Sequence, residues 1–290
     1  KKVVLDAKKD ALGSYLVGVV DMELPTGLPD AGAGAPATSA SAKAPTPPAP
    51  NALPGRVVIT FVSITAGNKL TAALAPFKAL RALGKIADDQ TAEFGLAQPD
   101  ATVSIKGAFG DKRLLLGALT PGGGDRYIKE ASTGEVFVVR GEPFRFLDAP
   151  ESWMIERELH TWKEAEVVSA TVSAGGKSRK VVHAGPEGKQ FWADSATATS
   201  ADDALDNWMS KIYRLRAVEF VSTPPQGREP VLRVDFMGSK PLGYVEIVKT
   251  LTGPDGSPEY FIQSERTRLF AKGPNTFIEQ IEQDLGVAIK

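Results

Sequence analysis

The sequence predicts an α+β fold: a tandem duplication of a small antiparallel sheet with a helix packed on one face, plus a C-terminal helix. Three observations point there. Short β-branched runs and amphipathic helical stretches follow one another in the same order twice along the chain. Gly- and Pro-containing turns separate the runs at the spacing of an antiparallel meander. The two halves can also be laid over each other, Leu80-Arg81-Ala82 on Leu215-Arg216-Ala217 and Leu70, Leu74 and Phe77 on Leu205, Met209 and Ile212. Beyond the helices, Arg126-Tyr127-Ile128 falls on Glu259-Tyr260-Phe261, and Phe137-Val138-Val139 on Arg268-Leu269-Phe270.

Taken in order, residues 1–24 form an N-terminal segment. Its stretch Ala11–Val20 is apolar, but Asp6, Lys8, Lys9 and Asp10 flank it. It reads as a short amphipathic element, or as the edge of a chain whose natural N-terminus lies elsewhere. Residues 25–55 are a Pro/Ala-rich linker. From Ala31 to Pro50, 19 of 20 residues are Ala, Pro, Gly, Ser or Thr, and Lys43 is the only charge. Such a segment buries too little apolar surface to offset its conformational entropy, which predicts a semi-rigid tether.

The first repeat spans 56–150. Arg56–Ile64 is a β-branched strand, and Leu70–Leu83 carries apolar residues at three- and four-residue steps, as a helix does. Strands follow at Ala101–Lys106, Arg113–Gly117, Arg126–Lys129 and Glu135–Arg140, with Pro121-Gly122-Gly123-Gly124 as the clearest turn. The second repeat, 151–290, has strands at Val167–Ser173, Arg179–His183 and Gln190–Asp194. A helix then opens at the N-cap candidate Ser200 and buries Leu205, Trp208, Met209, Ile212 and Leu215. Strands Val231–Phe236, Gly243–Thr250, Glu259–Gln263 and Arg268–Ala271 come next, and a last helix starts at the capping box Thr276–Glu279.

Composition removes several function classes. With 34 Lys+Arg against 35 Asp+Glu the net charge is -1, so the surplus of cations that grips nucleic acid is missing. Cysteine is absent, which excludes disulfides, thiolate nucleophiles, iron–sulfur clusters and cysteine–zinc sites. His160 and His183 are the only histidines and stand too far apart for a helical zinc motif, so neither a metal nor a cofactor is expected. No stretch reaches the roughly 18 apolar residues of a membrane span.

One string of residues is more specific. Glu93-Phe94-Gly95-Leu96-Ala97-Gln98-Pro99 is followed by Thr102-Val103, Leu114-Leu115-Leu116-Gly117, Arg126-Tyr127-Ile128 and Val136-Phe137-Val138-Val139. This order resembles the domain of unknown function 4340 family of bacterial envelope proteins. Phe191-Trp192-Ala193-Asp194, Leu215-Arg216-Ala217 and Ser264-Glu265-Arg266-Thr267-Arg268 are similar to family features further on. The resemblance covers roughly Val57 to Ile289. It implies an accessory role beside ABC-transporter components of the gliding-motility type, and often an N-terminal membrane anchor, which this sequence lacks in convincing form. It brings no catalytic residues. Physically, Phe94, Gly95, Leu96, Pro99, Gly117 and Tyr127 read as a structural motif: Gly95 for its backbone freedom, Leu96 as a core plug, Pro99 to set a turn.

Candidate chemistry is sparse. Gly122-Gly123-Gly124-Asp125-Arg126 joins two strands and reads as a hairpin, because a phosphate cradle needs a helix N-terminus behind it. Asp88-Asp89 and Asp202-Asp203 suit turns and helix starts better than a calcium loop. Ser264 lacks the elbow and the neighbouring base of a nucleophile. Trp153 and Trp162, in the segment joining the repeats, are the candidate contact surface, with Arg266 and Arg268 as the polar candidates; His160, Trp162 and Glu164 also lie close together in sequence. The expected function is a non-enzymatic, periplasmic or extracytoplasmic scaffold that binds protein partners of the envelope and reaches the membrane only through a missing anchor or a partner. The alternatives are a carbohydrate-active hydrolase built from scattered carboxylates, and an envelope-polymer-binding module.

Overall fold

Antiparallel pairing of short strands builds two sheets, and helices pack on them, giving an α+β fold. The computed structural model describes residues 1–23, 56–107, 110–186, 189–198, 200–251, 253 and 256–289. The expected linker Ala31–Pro50 and the centre of the Gly253–Gly256 turn lie outside them.

In chain order, β1 (Lys2–Asp10), β2 (Gly13–Glu23) and β3 (Arg56–Ser63) lead into helix α1 (Thr65–Leu74). Five strands follow: β4 (Arg81–Lys85), β5 (Ala101–Gly107), β6 (Gly110–Leu119), β7 (Asp125–Glu130) and β8 (Glu135–Arg140). Two short helices, α2 (Glu142–Asp148) and α3 (Pro150–Trp153), close the first half. The second half repeats this order. It runs β9 (Ser169–Ala174), β10 (Lys177–Ala184), β11 (Phe191–Asp194) and α4 (Asp203–Tyr213). Then come β12 (Glu219–Phe220), β13 (Glu229–Met237), β14 (Pro241–Thr250), β15 (Glu259–Ser264) and β16 (Ala271–Lys272), ending in α5 (Asn275–Gln283) and α6 (Leu285–Ala288).

Each half closes its five strands in one topology, β4-β8-β7-β6-β5 and β12-β16-β15-β14-β13. The registers agree as well. Ile105 lies opposite Lys112 as Phe236 lies opposite Gly243, and Leu114 opposite Glu130 as Val245 opposite Ser264. Ile128 faces Phe137 as Ile262 faces Ala271, and Ala82 faces Phe137 as Phe220 faces Ala271. This corrects the residue-level overlay expected from sequence. Ile128 corresponds to Ile262, not Phe261, and Phe137 to Ala271, not Arg268. The slip matters because one residue exchanges the two faces of a strand. Ile128 and Ile262 are both fully buried, whereas Phe261 packs in a separate cluster with Val248 and Phe270.

The chain divides into two compact units, Thr65–Met154 and Lys1–Ile64 with Ile155–Lys290. The expected boundary gave β3 to the first repeat. Instead β3 pairs with β2 along its length and with β12 at Thr60–Phe220, so the strands β1–β3 extend the second repeat's sheet. That sheet reaches eleven strands, β1-β2-β3-β12-β16-β15-β14-β13-β9-β10-β11. The N-terminal segment is therefore a hairpin. Leu16, Gly18 and Val20 alternate inward along β2, and Gly18 leaves room for the Phe61 ring, which a Cβ there would strike.

In this unit α4 buries Leu205, Trp208, Met209 and Ile212, and the Trp208 indole donates to the Ile281 carbonyl at 3.0 Å. Its N-cap is Asp202, which accepts from Leu205 N, and not Ser200. The expected capping box at Thr276 is not the N-cap: α5 begins at Asn275 behind Pro274. In the smaller unit Leu114, Leu116, Ile128, Val139 and Phe144 form the core. Its helix α1 stops at Leu74, earlier than the expected Leu83, because Pro76 has no N–H to donate and disfavours helical backbone just before it.

Candidate functional site

The Ser264–Arg268 turn between β15 and β16 is a buried polar cluster that carries sequence-predicted site residues. Ser264 and Thr267 are buried and hold the turn closed. Ser264 N donates to Thr267 Oγ1 at 3.0 Å, while Arg266 N and Thr267 N both donate to Ser264 Oγ at 3.2 Å. The hydroxyl thus serves as a backbone acceptor, a structural role. This geometry sends the next side chains in different directions. Arg266 Nη2 meets Glu156 Oε2 at 2.7 Å, with the two side chains only 14% and 10% exposed. Arg268, at φ 60°, pairs through Nε with Asp10 Oδ2 at 2.7 Å and lies 5.5 Å over the Tyr15 ring. Glu265 accepts from Tyr244 N at 2.8 Å, and burial pushes its carboxyl above the usual range.

Trp162 sits beside this cluster and is buried at 7% exposure. It stacks on His160 at 4.0 Å between centroids, lies 4.6 Å from Phe236, and turns its indole toward the Glu265 carboxylate. The two ring nitrogens of His160 lie 3.2 and 3.3 Å from the carbonyls of Trp162 and Tyr213. Burial holds His160 below the usual histidine range. These placements reverse an expectation. Trp162, Arg266 and Arg268 are not a free contact surface; they tie the β1–β2 hairpin and the segment after Met154 to the β15–β16 turn. Trp153, at the end of α3, is the exposed one, at 67%.

The motif residues share a place in the smaller unit. The loop before β5 folds back on the end of β6, where Ala118 N donates to the Phe94 carbonyl at 2.9 Å. Gly95 takes φ +66°, and a Cβ there would come 2.6 Å from Ala118 N. A Cβ on Gly117 would collide with the Phe94 carbonyl oxygen. Leu96 is buried, Phe94 packs edge-on against Tyr127 at 4.8 Å, and Pro99 leads the chain into β5. The motif is a backbone-to-backbone clasp.

Elsewhere the remaining candidates are accounted for. Gly122–Gly124 form the β6–β7 turn, Asp88 and Asp89 open a 3-10 turn, and Asp202 caps α4. Among the described residues no group of three or more His, Asp or Glu side chains could hold a metal ion.

Two features of the smaller unit escaped the sequence reading. The first is the outer edge of β5, which no strand among the described residues covers. In the second repeat the matching edge of β13 is capped by β9, from Arg233–Ser173 to Met237–Ser169. The second is an apolar cavity of about 450 Å³ between the segment after α1 and the sheet. Leu74, Pro76, Phe77, Ile105, Leu114 and Phe137 line it, and Lys112 and Glu130 stand among them. They pair at 2.5 Å, and the Lys112 ammonium holds the Glu130 carboxyl below its usual range. A break of the helical pattern at Pro76 was the available signal, since it frees Phe77 from α1.

Comparison with protein families matches residues 66–232 to the family described as Domain of unknown function (DUF4340). No curated protein and no solved structure matches the chain. The matched span runs from α1 into β13 and so takes in the clasp, the β5 edge, the cavity and α4. Covering more than half of the 290 residues, it places the chain in the domain of unknown function 4340 family.

Proposed function

We propose that the chain is a non-enzymatic accessory or scaffold protein of a bacterial envelope complex, on the extracytoplasmic side, and that it takes protein partners as added strands. The envelope setting comes from what the family resemblance implies. The mode of binding rests on one observation, the uncovered edge of β5 beside its covered counterpart β13. Exposed edges elsewhere carry the features that block strand addition. β1 bears Lys2, Asp6, Lys8, Lys9 and Asp10, β4 is short and bulged between Ala82 and Gly84, and β11 has four residues. β5, Ala-Thr-Val-Ser-Ile-Lys-Gly, has a single charge and a regular register over seven residues.

The test places a photo-cross-linking amino acid at Thr102 or Ser104 in cells that make the protein. The expected products join β5 to an extended segment of an envelope or transporter protein, identified by mass spectrometry of the linked peptides. Products no different from those of a cross-linker on β1, at Val4, would overturn the reading.

A further inference from the structure

The second repeat shows what its own version of the cavity holds. The register that equates Ile105 with Phe236 and Leu114 with Val245 places the cavity at the sheet end where Trp162 packs. There the indole lies against Phe236 and Tyr213, the last residue of α4, just as the cavity lies between Ile105 and the segment leaving α1. Seven residues after Trp162 the chain enters β9 at Ser169, and β9 is the strand that covers the β13 edge. Tryptophan and strand are therefore parts of one continuous segment in the second repeat. In the first repeat both of their places, cavity and edge, are left by the described residues.

We infer that the cavity receives a tryptophan side chain from the same partner segment that pairs with β5, the tryptophan preceding the paired strand by about seven residues. This rests on the proposed strand addition and names the partner's chemistry. A volume of about 450 Å³ falls within the range of pockets that bind a specific group. The lining is apolar except for Lys112 and Glu130. The Glu130 carboxylate is matched in the second repeat by Ser264, and the neighbouring Glu265 is the carboxylate that the Trp162 indole faces. An indole thus meets an apolar slot with a carboxylate at its rim.

The experiment uses the full chain and a fluorescent peptide of its own residues Glu158–Ala174, which carries Trp162 and the β9 strand. Binding is read by fluorescence anisotropy. A second peptide carries Trp162→Ala. Ala79→Phe in the protein narrows the cavity from an exposed, non-helical position and leaves the core untouched, with circular dichroism confirming the fold. The expected result is saturable binding that weakens about tenfold with either change, the loss typical of an anchoring aromatic. Equal binding by both peptides, unaffected by Ala79→Phe, would overturn the tryptophan site and leave strand addition standing. No binding by either peptide would overturn both.

Discussion

Replacing Arg266 by methionine keeps an apolar stem of similar length but removes the charge facing Glu156. The pair is 2.7 Å long, and the side chains retain 14% and 10% of their exposure, so solvent screens it little. An ion pair at the surface would contribute about 0–1 kcal/mol. A buried carboxylate stripped of its partner costs about 3–5 kcal/mol, because its desolvation is no longer offset. Arg266→Met should therefore destabilise the larger unit by about 3 kcal/mol or more. The double variant Glu156→Leu with Arg266→Met leaves no charge behind and should fall within about 1 kcal/mol of the parent.

Glu156→Leu should cost about as much as Arg266→Met, so the two singles and the double form a cycle whose coupling energy is expected at about 5 kcal/mol. Urea unfolding followed by tryptophan fluorescence reads it selectively, since Trp162, Trp192 and Trp208 belong to the larger unit and only Trp153 to the smaller. A loss below about 1 kcal/mol for Arg266→Met would show that water reaches the pair. A double variant as unstable as the sum of the singles would show that the two side chains act independently. Either result refutes the tie between the β15–β16 turn and the segment after Met154.

Three further outcomes follow from the same geometry. Burial raises the folded pKa of Glu265 above 4.5, so its contribution is full below that pH and is lost as pH rises through the folded value. Glu265→Gln should accordingly gain stability relative to the parent as the pH is raised from 4 to 7, and a gap that does not change with pH in urea melts would contradict it. His160 is shifted the other way, so the folded protein should lose stability as pH falls below 6.5. A proton NMR titration should place its midpoint below 6.5, and a midpoint at or above that value would remove the burial argument. Gly95→Ala forces both a left-handed φ and a 2.6 Å approach to Ala118 N, and should cost the smaller unit more than the about 1 kcal/mol of an ordinary glycine replacement. Gly123→Ala, at φ +77° but in open space, is the control for strain alone; equal losses in thermal melts would show that the clasp contact contributes nothing.

Much of the fold was legible because strands declare themselves locally. Glu135-Val136-Phe137-Val138-Val139-Arg140 is β-branched and aromatic between a glycine turn and Gly141, and β8 spans those six residues. The repeat was legible as an order of elements, yet its residue alignment was not. Tyr127 and Tyr260 invite a match by identity, whereas the hydrogen-bonded register, set by closure of the sheet, equates the residues one position apart. The hairpin β1–β2 was hidden by Lys8, Lys9 and Asp10. Those charges argue against burial, and on an edge strand they meet water. Trp162 misled in the opposite direction. A segment between repeats is ordinarily surface, but here it runs through the core of the second repeat, and only the tertiary structure brings Phe236, Tyr213 and Glu265 around the indole.

Duplication makes the differences between the halves more informative than their likeness. Two copies of one packing problem must each close the same sheet end, because an unfilled apolar hole forfeits dispersion contacts and an uncovered regular edge invites pairing. The second repeat closes both with its own chain, using Trp162 for the hole and β9 for the edge. The first repeat's corresponding strands, β1–β3, pair instead on the far side of the larger sheet, through β3 and β12. In the smaller unit the β5 edge and the cavity lie together, with neither filled by a strand or an indole among the described residues. Along the backbone to be paired β5 carries one charge, Lys106, and the carboxylate at the cavity is already held ionised by Lys112. The second repeat thus shows the kind of segment that fits such a pair of features: an extended strand with an aromatic side chain ahead of it.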